Sequence, residues 1–352
     1  MSRLISTLTT LAAVLLVSSQ PLLATDSKPR ELRIITDRTE QTLQPYFDAF
    51  EKKYNLKVKA VFMDEGLVSR LETRPTEADL IITQDAELLS IAKQKKLLRP
   101  FNSKAIINEI PAEFRDPDNY FYVDAYRARV IFYSKDRVKP DELSTYEDLA
   151  SPKWKNRICI RSGMHEYNLA LFGQFQAAYG PEKSRRIIKG IQANMAREPK
   201  GNDREQAKAI SEGKCDIALM NTYYHPIMAA TPDQQPWSEA TRVFFPDQRS
   251  KGTFIMRSGV ALTRATDNDA AARQFLDFMA STEGQTRMVN KTYQYPVNKT
   301  VSWHPLTSKL GEGQKEVRNG VFKMDFVPLD AIVGKREEVI RYLNEIRFDK
   351  KP

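Results

Sequence analysis

Leu32-Arg33-Ile34-Ile35, Leu56-Lys57-Val58-Lys59-Ala60-Val61-Phe62 and Asp79-Leu80-Ile81-Ile82-Thr83 are three short segments that read as strands. Between the first two, Leu43, Tyr46, Phe47, Phe50 and Tyr54 recur at helical spacing and predict an amphipathic helix over 41–54. A second helix is expected near 66–74. The resulting β-α-β-α-β order calls for a parallel sheet with right-handed crossovers. Ligands of such sheets sit beyond the carboxyl ends of the strands, where the loops 36–40 and 83–87 open.

Further along, Arg127-Ala128-Arg129-Val130-Ile131-Phe132-Tyr133 reads as a strand that carries the chain into a second lobe. Pro140 and Pro152 punctuate the loops after it. Ile158-Cys159-Ile160 then leads into the turn Arg161-Ser162-Gly163-Met164-His165-Glu166-Tyr167-Asn168, ahead of a helix. A helix over about 182–194 and a strand over Asp216–Met220 complete this lobe. Val260-Ala261-Leu262 and a helix over 268–281 return to the first. The last fifty residues are expected to be mainly helical, with Leu329, Ile332, Val333, Val339, Ile340 and Leu343 on an apolar face. The expected division is a first lobe of 25–126 plus about 247–352, with a second lobe of 127–246. Two lobes joined by more than one crossing make a hinge that closes on a ligand.

Bulk properties agree with an exported two-lobed α/β protein. Arg3, the apolar stretch Leu4 to Val17 and the small residue Ala24 predict a signal peptide over 1–24, cleaved near Ala24-Thr25 and too short to span a bilayer. The 352 residues, less this leader, exceed what one compact core holds. A net charge of +9 favours anionic ligands, yet the basic residues are scattered among 45 acids, and export argues against nucleic acid. Cys159 and Cys215 are the two cysteines of the chain and permit one disulfide if their strands are neighbours; otherwise they are buried thiols.

The strand Cys215-Asp216-Ile217-Ala218-Leu219-Met220-Asn221-Thr222 ends in Tyr223-Tyr224. Two phenols at the mouth of an α/β sheet are either packing residues or ligands. Phenolate is a hard anionic oxygen donor suited to Fe3+.

Asn221-Thr222-Tyr223-Tyr224, Arg127-Ala128-Arg129-Val130, Pro152-Lys153-Trp154-Lys155-Asn156-Arg157 and Tyr295-Pro296-Val297-Asn298, in this order and spacing, resemble the periplasmic ferric-iron-binding proteins of ABC importers, bacterial solute-binding protein family 1. The likeness spans roughly residues 31–348, and the branch is the tyrosine-rich one. It implies a two-lobed periplasmic-binding-protein fold of type II, not an enzyme, working as a monomer in the periplasm. Such a protein captures ferric iron between its lobes and delivers it to an ABC permease of the inner membrane. The resemblance further implies that Tyr167, Tyr223 and Tyr224 bind Fe3+ as phenolates, three charges against three. Arg127 matches an arginine that holds a synergistic anion or stands close behind the ligands; Arg129 shares its strand face and is not separable from it by pattern. Asn202, Asn221 and Asp85 are candidates behind the ligands, and Ser162-Gly163 could offer backbone N–H groups to an anion.

One departure concerns the first lobe. Relatives carry His, or His-Tyr, in the first loop, where this chain has Thr39 and Glu40. A carboxylate supplied by some members falls at Gln84, with Asp85 beside it. Glu40, Asp37 or Asp85 is thus the expected first-lobe ligand, although Glu40 also suits the first turn of a helix. Failing these, water, carbonate, citrate or phosphate completes the site. His165-Glu166 lacks the spacing of a zinc or hydrolase motif, His225 is expected to line the cleft, and His304 has no evident partner. The competing functions are a binding protein for a sugar phosphate or carboxylate and a secreted metal-dependent hydrolase. The second lacks a visible nucleophile-base-orienter set.

Overall fold

The computed structural model describes residues 31–351; the expected leader lies outside them. The first lobe opens with β1 (Leu32–Thr36), α1 (Glu40–Tyr54), β2 (Val58–Phe62), α2 (Leu67–Thr73) and β3 (Leu80–Thr83). β1 pairs in parallel with both β2 and β3. The helical spacing read in α1 is its buried face: Leu43, Tyr46, Phe47 and Phe50 turn inward. There Phe50 meets Phe275 edge to face, with centroids 4.9 Å apart. α3 (Glu87–Gln94), β4 (Leu98–Arg99) and α4 (Lys104–Glu109) follow.

β5 (Phe121–Ser134) is 14 residues long and buried along its whole length. The sequence reading found only its second half, because Asp124 interrupts the apolar run. Asp124 also falls where the pairing register shifts between Val123 and Ala125, a bulge. The second lobe is built from β6 (Ile158–Cys159), α5 (Glu166–Tyr179), α6 (Pro181–Ala193), α7 (Asp203–Ser211), β7 (Ile217–Asn221), α8 (Tyr224–Ala229), α9 (Gln235–Glu239) and β8 (Thr241–Phe244). β9 (Thr253–Thr263) then runs back to the first lobe, where it is inserted between β3 and β5 and is antiparallel to both. α10 (Asp269–Ala280), α11 (Thr282–Thr292), β10 (Tyr295–Pro296), β11 (Met324–Asp325), α12 (Leu329–Val333) and α13 (Arg336–Glu345) finish the chain.

The central strand order is β2-β1-β3-β9-β5-β7-β6. Residues 121–128 of β5 pair with β9, while 129–134 pair with β7 and β8. One strand therefore belongs to both lobes, and β9 is the second crossing. This is the mixed α/β, two-lobed hinge architecture that the sequence called for.

Two expectations are corrected. The last fifty residues are not mainly helical: between Thr307–Lys309, a single turn, and α12, the chain is irregular apart from the two-residue β11. Nor do the terminal helices sit with the first lobe. Val339, Tyr342, Leu343 and Phe348 join the second-lobe core with Phe172 and Phe175, because the apolar face of α13 matches the side of α5. α12 touches both α3 and α5. Cys159 and Cys215 are bridged, with Cα atoms 5.8 Å apart, since β6 and β7 are parallel neighbours. Among the described residues, no helix is long and apolar enough to cross a membrane.

Candidate metal centre

The register places the site. β7 pairs with β5 from Ile217 opposite Tyr133 to Asn221 opposite Arg129, so the carboxyl end of β7 arrives at the middle of β5. β3 reaches the same level from the other lobe, Thr83 lying opposite Gly259 and Gly259 opposite Val123. The ends of β3 and β7 thus converge on Arg127 and Arg129.

Three tyrosines gather there. Tyr223 leaves β7, and Tyr224 begins α8, with ring centroids 4.3 Å apart. Tyr167, in the first turn of α5, is 7% exposed, and its hydroxyl lies 3.2 Å from that of Tyr223. Tyr223 and Tyr224 are half-buried. Burial, and then the neighbouring Tyr223, push the Tyr167 phenol well above its ordinary range. The same two causes, with Tyr167 third, raise Tyr224. Without a cation these phenols hold their protons; a trivalent cation at the oxygens reverses that balance. Among the described residues, no group of three His, Cys, Asp or Glu is placed to hold a metal; the oxygens gathered here are phenolic.

Three guanidinium groups surround Tyr167: Arg127, Arg129 and Arg161 lie 5.7, 5.6 and 5.1 Å from its ring centroid. The structure separates the two that pattern could not. Arg129 is fully buried and committed: it pairs with Asp203, which is also fully buried, and donates to Asn168 Oδ1 at 2.9 Å and Asn221 Oδ1 at 3.2 Å. Arg127 donates through Nη1 to the Gln84 carbonyl at 2.6 Å and to Ser258 Oγ at 3.4 Å. The Nε of Arg127 and that of Arg129 both lack a partner, but Arg129 also uses its Nη2, on Asn168, whereas the Nη2 of Arg127 has no hydrogen bond to another described residue. Arg127 therefore keeps donor capacity for an anion. Arg161, two residues beyond β6, has no role legible in the sequence except through that place after the strand. His165 also has a positioning part: its Nδ1 accepts from the Tyr167 N–H at 3.2 Å, and its ring meets the Tyr167 ring edge to face. Burial, then Arg161, lower this imidazole to about 4, in keeping with a neutral acceptor.

Asn221 stands behind the tyrosines, its Nδ2 3.5 Å from the Tyr223 hydroxyl. Asn202 does not. It caps α7, accepting from the Arg204 and Glu205 N–H groups, because Asn before Asp-Arg-Glu makes a capping box. Asp85 accepts from the Glu87 N–H at 3.0 Å at the entry of α3. Glu40 is exposed at the first position of α1, where a carboxylate suits the helix dipole, and its side chain makes no hydrogen bond or ion pair to another described residue. The loop before it is pinned by a buried ion pair, Arg38 Nη1 to Asp124 Oδ2 at 2.8 Å. Asp37 is occupied as well, accepting from Thr83 Oγ1 and the Gln84 N–H. The Gly163 N–H is not free for an anion, since it donates to the Asp349 carboxylate, as the Ser162 hydroxyl also does. His225 packs on Phe132 and lies beside Ser238 rather than facing the tyrosines, and His304 forms a turn by accepting from Leu306 N–H. The first-lobe residue that does reach across is Gln84, whose Nε2 donates to Glu166 Oε1 at 3.2 Å.

A two-lobed hinged fold with phenols gathered beside the lobe junction is the architecture of a solute-binding protein. Residues 76–313 match the bacterial extracellular solute-binding protein family, and the chain belongs to it. It is 33% identical over 333 residues to iron uptake protein A1 of Synechocystis, covering 92% of this chain and 89% of that one. Among solved structures, the apo ferric ion-binding protein A of Pasteurella haemolytica superposes with a TM-score of 0.82 at 33% identity, covering 91% of this chain and 98% of that one. A Trichodesmium protein in complex with iron and citrate superposes with a TM-score of 0.81 at 32% identity, covering 91% and 100%.

Proposed function

We propose that this chain is the ferric-iron receptor of an ABC importer: it binds Fe3+ in the periplasm through Tyr167, Tyr223 and Tyr224 and delivers it to a permease in the inner membrane. The observation that carries this reading is the 3.2 Å approach of the Tyr167 and Tyr223 hydroxyls beside Tyr224, all three supplied by the second lobe. The iron and citrate bound by the Trichodesmium relative support both cargo and a small oxyanion.

Three phenolates match the charge of Fe3+, and oxygen donors match its hardness. With Glu40 exposed and Asp37 and Asp85 engaged within their own lobe, we assign the rest of the shell to a bound anion such as carbonate, citrate or phosphate. Arg127 is its holder, since Arg129 is spent on Asp203. Asn221 orients Tyr223. The three guanidinium groups around Tyr167 favour its anionic form. We assign no catalytic role. The test is cargo stoichiometry: metal-free protein dialysed against ferric citrate and against zinc should retain one iron and no zinc. Zinc retained in preference to iron would overturn the reading.

A further inference from the structure

Gln84 is anchored in one lobe and gripped from the other. Its N–H donates to Asp37 Oδ1 at 2.8 Å, and Thr83 Oγ1 donates to Asp37 Oδ2 at 2.7 Å, so the end of β3 is fixed within the first lobe. Across the cleft, its Nε2 donates to Glu166 Oε1 at 3.2 Å. From the crossing strand, Arg127 Nη1 donates to its carbonyl at 2.6 Å. Glu166 is the first residue of α5 and adjoins Tyr167. Rotation about β5 and β9 that opened the cleft would draw the tip of β3 away from the first turn of α5 and break this contact.

We propose that Gln84 and Glu166 form the latch that holds the cleft closed over the tyrosines. The pair joins the lobes by a hydrogen bond of the chain itself, without a metal between them. The chain has Thr39 and Glu40 in its first loop, and Arg38 with Asp124 holds that loop down. Closure therefore does not depend on the first lobe touching the cargo, and the rate of release depends on the latch. Further contacts between the lobes come from α12, where Gln94 Nε2 of α3 donates to Asp330 Oδ1 at 3.2 Å, and from α13, where Arg336 lies 3.9 Å from Glu87. The proposal rests on the three tyrosines being the binding site.

Two readouts test it. Spin labels at Ile107→Cys and Arg186→Cys, one exposed position on each lobe, report the interlobe distance in metal-free protein. Stopped-flow transfer of iron to a chelator reports release. Gln84→Ala and Glu166→Ala should each add a longer distance population and speed release by up to about ten-fold, the scale of one hydrogen bond. The tyrosinate absorption band should keep its position. The double variant should be no faster than either single one, and Glu166→Gln, which keeps an acceptor oxygen, should restore wild-type behaviour. Unchanged distances and release in both single variants would overturn the latch, as would additive effects or a shifted band, which would place these side chains on the metal. If the unsubstituted protein takes up no iron, the tyrosine reading fails, while the label distances still decide the latch.

Discussion

Tyr167 and Tyr223 come from different elements, a helix start and a strand end, yet their hydroxyl oxygens lie 3.2 Å apart. Two phenols at that distance share one proton-mediated contact in metal-free protein and present two oxygens to a single cation once deprotonated. Tyr167→Phe, Tyr223→Phe and Tyr224→Phe should each lower iron affinity by more than about 100-fold, beyond the range seen when an outer-shell partner is lost. Competition against citrate checks this. Each hydroxyl projects into the site, so the melting temperature of the metal-free variants should stay near that of the parent.

Binding should release protons. Burial holds the Tyr167 and Tyr224 phenols above their ordinary range, so at neutral pH both are protonated and each must lose its proton to become a ligand. Lowering the pH then opposes binding, by about ten-fold per pH unit for each proton released. A pH-stat titration with a ferric salt should record the protons, and affinity should rise with pH across the neutral range.

The two strand arginines should fail in different ways. Arg129→Gln removes one of the two arginines paired with the buried Asp203 and leaves Arg161 at 3.2 Å, so it should destabilise by less than the roughly 3–5 kcal/mol of a buried charge left wholly unpaired and should appear as a lowered denaturation midpoint. Arg127→Gln should leave the fold intact and weaken iron binding most where carbonate or citrate is scarce. Equal loss of stability in both would remove the distinction between them.

The bridge between Cys159 and Cys215 closes a loop of 56 residues that contains Tyr167 and ends just before the tyrosine pair. Replacing both cysteines by alanine should destabilise the second lobe by about 4 kcal/mol, the chain-entropy value for a loop of this length. Folded variant protein should still bind iron, because the bridge lies beneath the site rather than in it. Urea denaturation of both forms checks the magnitude.

Much of this was legible in the sequence because periodicity is local. The α1 face and the β1, β2 and β3 runs need only neighbours along the chain to be recognised, and the strand ending in Tyr223-Tyr224 announces its own carboxyl end. What was hidden depends on distant partners. Arg127 and Arg129 share a face in pattern, and only the position of Asp203 tells them apart. Gln84 and Glu166 meet across 82 residues, which no spacing rule reaches. Glu40 satisfies two rules at once, hard ligand and helix first turn, and its place at the first position of α1 is compatible with both. The terminal segment misled because an apolar helical stripe says that it packs, not on which lobe.

The central claim is that three tyrosine oxygens bind ferric iron. Its most direct measurement is a visible titration of metal-free protein with ferric citrate. The account predicts a strong orange-to-purple tyrosinate-to-iron charge-transfer band that saturates at one iron per chain and is lost in Tyr223→Phe and Tyr224→Phe. A protein that stays colourless, or a band that survives both substitutions in full, would contradict it.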